Sequence, residues 1–513
     1  MTNNGPETRP DLTQWKELET LPDGKVLSGR VGKDPVFVWR GGNIVRAYGA
    51  TCPHLGAPLN EGMLVGTSLR CPWHHACFDL LTGAATAAPA FDTLAYPVEL
   101  QNGRFAVRRA MSPPTPPVPA IRPRVEEDLM AIVGGGAAGF AAADALRREG
   151  WRGEIAMFSD EATTPYDRTL LTKDYLDGNF GEDRLPIARH SLDAMGVNFE
   201  GEAHVESIDV ENKRLQLANR GTRSYTKLLL ATGAAPRKLD LPGTDLPHVV
   251  TLRSLADCRR ILDALKDIRH VAVIGGSFIA LETAASLRSR ALSVNVIAPE
   301  SHPMEKIFGR ALSDLILDVH CHHGITLCLS SKVMRIQDRT VVLENGREVR
   351  ADLVILGVGV EPRLEIARAA GLALDRGLVV DCHLKTSVEG IFGAGDIVRW
   401  PDPHSGQSIR VEHWVVAQRQ GQVAGLNMLG ADRIFHMVPF FWTKHFDLSI
   451  RYVGHAEQWD DLIVEGNLSR RNAIVRFRGN GRDLAIATVG RDDESMRAEL
   501  AMERQLRKPS GDD

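Results

Sequence analysis

The stretch that most limits how this chain can fold is Ala131-Ile-Val-Gly-Gly-Gly-Ala-Ala-Gly139, an apolar run that turns into glycines and then into an alanine-rich segment of helical pattern. Gly134 allows a tight turn, Gly136 lets backbone N–H groups approach a pyrophosphate, and Gly139 lets the helix sit against the strand. The helix N-terminus then faces the negative charge. The same arrangement restarts at Val271, about 140 residues later. Strand Met130 to Val133, helix Ala138 to Glu149 and strand Ile155 to Phe158 are answered by strand Val271 to Ile274, helix Phe278 to Arg288 and strand Val294 to Ala298. Two doubly wound α/β nucleotide domains are expected, one inserted in the other: 125–250 with 371–432, and 251–370.

What precedes them has a different grain. Between Leu12 and Arg109, short alternating runs (Val26 to Val31, Val36 to Trp39, Ile44 to Tyr48, Phe105 to Arg108) are separated by Gly, Asn and Asp, the pattern of a small all-β domain over 12–110. Six prolines between Met111 and Pro123 then favour an extended, semi-rigid linker over 111–124. The last segment, 433–513, mixes strand-like runs (Leu448 to Tyr452, Ala473 to Arg478, Leu484 to Thr488) with a charged helical tail, giving an α+β domain.

Charge and cysteine usage narrow the function classes. A formal charge of -4 argues against a phosphate-tracking surface, so nucleic acid is not an expected partner. The first residues are polar, and no run of about eighteen apolar residues is present to span a bilayer, so a cytoplasmic protein is expected. Seven cysteines scattered along the chain fit a reducing compartment, and Cys258, Cys321, Cys328 and Cys382 read as buried small hydrophobes.

The other three cysteines lie in the β domain. Cys52-Pro-His54 is followed, sixteen residues on, by Cys71-Pro-Trp-His74. Thiolates and imidazoles bind zinc and iron–sulfur clusters alike, so ligand type leaves the metal open. Zinc sites of this composition usually carry a Cys-x2-4-Cys pair, whereas here each loop gives one Cys and one His. A Rieske [2Fe–2S] centre places two Cys on one iron and two His on the other, which suits Cys52, His54, Cys71 and His74 as metal ligands. Cys71-Pro-Trp-His-His-Ala-Cys-Phe-Asp79 followed by Thr82-Gly83 resembles the second box of the Rieske family. His75 departs from it, standing where the family usually has Gly, and reads as a neighbour of the ligands. Cys77 falls outside the pattern. Rieske proteins with a disulfide between the two loops have cysteines at the positions of Ala57 and Trp73, so the resemblance is to the unstapled, soluble branch, with a cluster of low potential.

After the first nucleotide turn, Asp160 places a carboxylate where a ribose hydroxyl would lie. Pro165-Tyr-Asp-Arg168-Thr-Leu-Leu-Thr-Lys173 is similar to a segment of the oxygenase-coupled ferredoxin reductases and of apoptosis-inducing factor, in which the Arg and Lys lie on FAD. Ala231-Thr232-Gly233 with Pro236-Arg237, and Gly393-Ala-Gly395-Asp396, resemble that family's remaining flavin segments. Val205 and Trp414 complete the flavin set. A Cys-x4-Cys or Cys-x-x-Cys pair is missing from the α/β region, so electrons have to leave the flavin by a route other than a dithiol.

The second turn, Gly275-Gly-Ser277-Phe278-Ile-Ala280, is read as the NADH site. Ser277 and Ala280 replace the second and third glycines, and Ser277 is expected to put a side chain near the pyrophosphate. Glu300 follows the next strand within reach of a ribose, and Gly357-Val-Gly359-Val-Glu361-Pro362 resembles the segment beneath the nicotinamide. The resemblance also implies a catalytic ion pair between Lys173 and Glu282.

Together these features resemble the apoptosis-inducing-factor-like reductases that carry an N-terminal Rieske domain. The expected function is electron transfer from NADH through FAD to the cluster and on to a protein acceptor such as an oxygenase or a cytochrome P450, the cluster domain swinging on its linker. Two rival readings are a slow-turnover redox sensor acting by interaction and an electron-transfer subunit of nitrite-reductase type.

Overall fold

The structure, a computed structural model, describes residues 9–87, 92–109, 129–188 and 191–507. The proline segment 111–124 lies outside the described residues. The N-terminal module is all β. A four-stranded antiparallel sheet runs Val26–Val31, Asp34–Gly41, Ile44–Gly49 and Ala95–Tyr96, and a three-stranded sheet joins Lys16–Glu17 to Arg104–Val107 and Val98–Gln101. A second four-stranded sheet (Met63–Val65, Ser68–Arg70, Cys77–Asp79, Ala85–Ala87) projects from them and carries one of the two cysteine loops. Strand and helix then alternate, as the two glycine turns require.

The first nucleotide sheet is parallel, in the order Asn198–Glu200, Glu154–Phe158, Leu129–Val133, Lys227–Leu230, Ile391–Gly393. Every residue of the central strand Leu129–Val133 is buried, as in a parallel sheet covered on both faces. One cover is α1 (Ala137–Arg148), whose alanines let another helix approach closely. The second sheet is also parallel: Val249–Thr251, Leu353–Leu356, His270–Ile274, Ser293–Ile297, Thr326–Cys328. Its helices are α2 (Leu255–Ala264), α3 (Phe278–Ser289) and α4 (Glu305–His322), the last kinked at Gly309. The repetition runs deeper than the glycine turns, because each domain also inserts a three-stranded antiparallel meander before its returning strand, over 205–224 and 333–350. Short α5 (Glu365–Ala369) leads back to the first domain, where Ile366 and Ala367 join its core.

Helix α6 (Trp414–Met428) crosses α1 at Gly421 and Gly425, where a Cβ would come within 2.1 Å of the Ala138 carbonyl oxygen and 2.8 Å of the Ala142 carbonyl oxygen. The C-terminal module is a five-stranded antiparallel sheet in the order Phe440–His445, Leu448–Gly454, Arg482–Val489, Asn472–Gly479, Asp461–Asn467, closed by α7 (Asp492–Arg507). The fold class is therefore the expected one: an all-β module, two doubly wound α/β domains and an α+β module. No helix among the described residues is long and apolar enough to cross a membrane.

Candidate functional site

A cleft of about 870 Å3 runs across the carboxyl ends of the first parallel sheet, the position at which doubly wound folds bind ligands. Gly134, Gly136, Asp160, Arg168, Lys173, Val205, Thr232, Gly233, Asp396 and Trp414 line it, and Phe278 and Glu282 reach it from α3. The glycine turn is a cradle that side chains would fill. Gly134 has φ +121, and a Cβ there would come within 2.1 Å of the Ala231 carbonyl oxygen. At Gly136 a Cβ would meet nothing within 4 Å, so the backbone is open to the cleft. Helix α1 begins at this residue without a side-chain cap, leaving its first N–H groups for an anion. An elongated cleft with an uncapped helix start, acidic groups and a buried cation fits a flavin dinucleotide.

Two residues of the expected flavin set stand outside the cleft lining. Gly139 is buried between helix and strand, with room for no Cβ because the Gly134 carbonyl oxygen would lie 2.0 Å away. Arg237 is exposed and donates to the Val360 carbonyl at 3.3 Å, turned by the pairing of Ala234–Pro236 with Val360–Pro362. Asp160, read as a ribose acceptor, also pairs with Arg363 at 2.8 Å and His204 at 2.9 Å. Arg168 is held by Glu161, Tyr166 and the Arg253 carbonyl, and Arg253 pairs with Asp396 at 2.7 Å. Lys173 and Glu282 meet: Nζ donates to Oε2 at 2.6 Å, with Thr172 donating to the same oxygen at 2.6 Å.

The second turn differs from the first in one respect. Gly275 has φ +120 and would carry a Cβ within 2.3 Å of the Gly357 carbonyl oxygen. Ser277 turns its hydroxyl inward rather than toward a pyrophosphate, donating to the Gly357 carbonyl at 2.7 Å and accepting from the Ala280 N–H at 3.3 Å. The expected intrusion therefore does not occur, because the hydroxyl caps α3. Gly275, Ser277, Glu300 and Gly359 do not line the large cleft; Glu300 and Gly359 are exposed beside the second sheet. Of the cysteines read as buried hydrophobes, Cys258 and Cys328 are buried, Cys382 is half-buried and Cys321 is exposed, since the last turn of α4 faces solvent there.

The two cysteine loops have the same build. Cys52 N–H donates to the Ala57 carbonyl and accepts at its own carbonyl from Gly56; Cys71 N–H donates to the Ala76 carbonyl and accepts from His75. The fifth residue of each turn is left-handed, with φ +86 at Gly56 and +56 at His75. The turns bring like with like. Cys52 and Cys71 act on each other, and the neighbouring Cys52 thiol holds the Cys71 thiol below its usual range, helped by the Trp73 and His74 backbone N–H groups. His54 Nδ1 lies 3.0 Å from His74 Nδ1. Burial pushes His74 far below the usual histidine range, so it is neutral, as a metal ligand must be. No three His, Cys, Asp or Glu among the described residues form a nest for a single ion. Two thiols facing two imidazoles are the donor set of a two-iron centre with unlike irons. All seven cysteines are free, so no disulfide staples the loops.

These loops sit against the cleft. His54 Nε2 is 2.9 Å from the Asp167 carboxylate, which its bonds to His54 and Thr169 hold below the usual range despite burial. The His74 ring centroid is 4.1 Å from that of Trp442, a cleft-lining residue. The outer side of the second loop is held by α7: His75 Nδ1 lies 2.6 Å from Glu499, which also bonds Arg70 at 2.9 Å and Arg419 at 2.6 Å. His75 is fully buried and stacks on Phe440 at 4.1 Å. Asp167, Trp442, Arg253 and Glu499 were not singled out from sequence. Asp167 lay inside the flavin segment and Trp442 in an aromatic run, whereas Glu499 looks like any other helix carboxylate.

Comparison with known proteins agrees with this geometry. The pyridine nucleotide-disulphide oxidoreductase family matches residues 129–421, the Rieske [2Fe-2S] domain 13–99 and the reductase C-terminal domain 440–511. Apoptosis-inducing factor 3 of Mus musculus is 31% identical over 96% of this chain and 84% of its own length. The benzene 1,2-dioxygenase system ferredoxin–NAD(+) reductase subunit of Pseudomonas putida is 32% identical over 74% of this chain and 93% of its own. Among solved structures, the covalent putidaredoxin reductase–putidaredoxin complex superposes with a TM-score of 0.71 at 28% identity, covering 74% of this chain and 93% of that one. The chain belongs to the pyridine nucleotide-disulphide oxidoreductase family, as an FAD- and NAD-using enzyme with a Rieske [2Fe–2S] domain at its N-terminal end and a reductase C-terminal domain at the other.

Proposed function

We propose that this enzyme passes electrons from NADH through FAD to its own Rieske cluster, held by Cys52, His54, Cys71 and His74, and from there to a protein acceptor such as an oxygenase or a cytochrome P450. When bound, FAD accepts two electrons as hydride and releases them one at a time, as a one-electron cluster requires. The observation that carries the reading is the seat of the cluster loops: His74 lies against Trp442, and Trp442 lines the cleft. A carrier held there is within van der Waals reach of the flavin site through one aromatic ring.

Within the cleft, the Gly134–Gly136 turn and the start of α1 would hold the pyrophosphate, and Asp160 and Asp396 would accept from sugar and ribityl hydroxyls. Lys173 supplies a positive charge where negative charge develops. Ferredoxins and a dioxygenase system appear in the names of the relatives, which supports a protein acceptor here. Because the loops carry no disulfide, the cluster potential is expected near the bottom of the Rieske range, about -150 mV, which a redox titration would measure.

Anaerobic stopped-flow mixing with NADH, followed at flavin and cluster wavelengths, tests the order. Flavin bleaching should precede cluster reduction, and Trp442→Ala should slow only the second phase. A cluster that stays oxidised over a reduced flavin, or a Cys71→Ala protein that lacks the cluster yet reduces its acceptor at full rate, would sink the relay.

A further inference from the structure

Behind the Lys173–Glu282 pair runs a line of buried polar groups that the relay does not use. Glu282 Oε1 accepts from the Thr443 hydroxyl at 2.7 Å; Thr443 Oγ1 is 3.1 Å from His445 Nε2; and His445 Nδ1 is 3.2 Å from His320 Nε2. Thr443, His445 and His320 have no solvent exposure, and Glu282 has 4%. The line starts in α3, crosses the edge strand Phe440–His445 of the C-terminal sheet and ends in the last turn of α4. His320 Nδ1 has no protein partner among the described residues. The His320 ring packs edge-on to Phe446, which with His323, Arg288, Ser289 and Ala291 lines a surface cleft of about 270 Å3.

Most buried polar atoms are bonded, so a bonded chain that ends on an orphan one ring away from a surface cleft calls for an explanation beyond packing. The bonds have a definite sense. An ionised Glu282 can only accept, so Thr443 donates to it. The Thr443 oxygen then accepts from His445 Nε2–H, which leaves His445 Nδ1 bare to accept from His320 Nε2–H, and leaves His320 Nδ1 bare as well. Both rings are neutral: burial lowers His445 to about 3 and lowers His320 as well. Lys173 on one side and His323 on the other are the charged or titratable neighbours that act on them in the same direction.

We propose that Glu282, Thr443, His445 and His320 form a proton path that offsets the charge brought to the cleft by each reduction. The proposal rests on the reading of the cleft as the flavin site and of Lys173–Glu282 as its ion pair. Hydride transfer carries two electrons and one proton out of NADH, leaving NAD+ and adding one negative charge to the cleft. A proton from the surface cleft reaches His320 Nδ1 past the Phe446 ring that separates the two; the Nε2 proton passes to His445 Nδ1, that ring's Nε2 proton to Thr443, and the hydroxyl proton to Glu282. Neither ring turns, and every bond ends reversed. When two one-electron acceptors have taken the electrons, the same bonds carry the proton back, and the hydrogen that came as hydride leaves as H+. The sum is NADH plus two oxidised acceptors giving NAD+, H+ and two reduced acceptors.

The test counts protons with a pH indicator while the full-length holoenzyme is reduced by NADH without oxygen, the bleaching of the flavin being read in the same shot. Thr443→Val and His320→Phe should take up about one proton fewer per flavin reduced than wild type or Thr443→Ser. Thr443→Val keeps the shape of the side chain and remains informative should His320→Phe fold poorly. Independently, histidine 15N spectra of the oxidised protein should show both rings protonated on Nε2. Equal proton counts in all four proteins, or either ring protonated on Nδ1 in the oxidised wild type, would overturn the path. Were NADH to leave the flavin unreduced, the reading of the cleft would fail instead, and the tautomers alone would decide the path.

Discussion

His75 occupies a position that its turn would give to glycine. The matching residue of the first loop is Gly56, and both are left-handed, a conformation that costs a side chain about 1 kcal/mol or more. What offsets the strain is the bond to Glu499 and the stack on Phe440. His75→Gly should therefore lower stability despite relieving the backbone, by about 1 kcal/mol net, because a hydrogen bond to a buried charge outweighs the strain. A lower Tm of the cofactor-loaded protein checks this; a higher one would mean the contacts contribute little. Lys173 bears directly on the chemistry. Lys173→Ala leaves Glu282 buried without its cation, and flavin reduction by NADH should slow by about a hundredfold. Unchanged rate and flavin potential in stopped flow and redox titration would remove the pair from catalysis.

The two nucleotide turns illustrate how much of an element is written locally. Strand, turn and helix of both domains lie where period and glycine placed them, because each is decided within about a dozen residues. The difference between their helix starts was not legible. Gly136 leaves α1 uncapped, while Ser277 caps α3 through the Ala280 N–H and is held turned inward by Gly357, a partner eighty positions along the chain. Asp167 and Trp442 escaped notice for the same reason: nothing local tells an ordinary turn aspartate or a core tryptophan from one that meets a cluster loop from another module. At the end of strand Ser293–Ile297 the sequence does speak. Glu300 is exposed, and Ala298 to Pro303 contains no Lys or Arg. NADH should exceed NADPH in kcat/KM by about tenfold or more, since a 2′-phosphate there meets a like charge without a compensating cation. Equal steady-state values would overturn that preference.

Across the molecule, the β module is seated against the reductase and C-terminal modules. Arg70 and His75 from that module, Arg419 from α6 and Glu499 from α7 form one buried network, and Arg451 adds a bond to the Trp73 carbonyl at 3.1 Å. The expected swing on a proline hinge would have to break it. Burial alone would raise the Glu499 carboxyl, but Arg419, Arg70 and His75 together hold it far below the usual range. A depressed carboxylate contributes stability above its unfolded pKa of about 4.3, which is lost as pH falls toward the folded value, so acid below that point should loosen the seat. Glu499→Leu leaves the Arg419 guanidinium buried without a carboxylate, while Arg70 keeps Glu503 at 2.9 Å, and should weaken the seat by about 3–5 kcal/mol. Faster hydrogen exchange over residues 71–77 and 492–507 would report it, and wild-type protection would show that the seat has other anchors.

With His74 packed on cleft-lining Trp442 and His54 bonded to Asp167, the first hand-over on the proposed route has no second-order step. Its speed would not depend on how much protein is present, and hardly on salt, because partners that never separate need no steering through solution. If separate carriers use the same face, they would find its berth already held by a tenant encoded in the same reading frame.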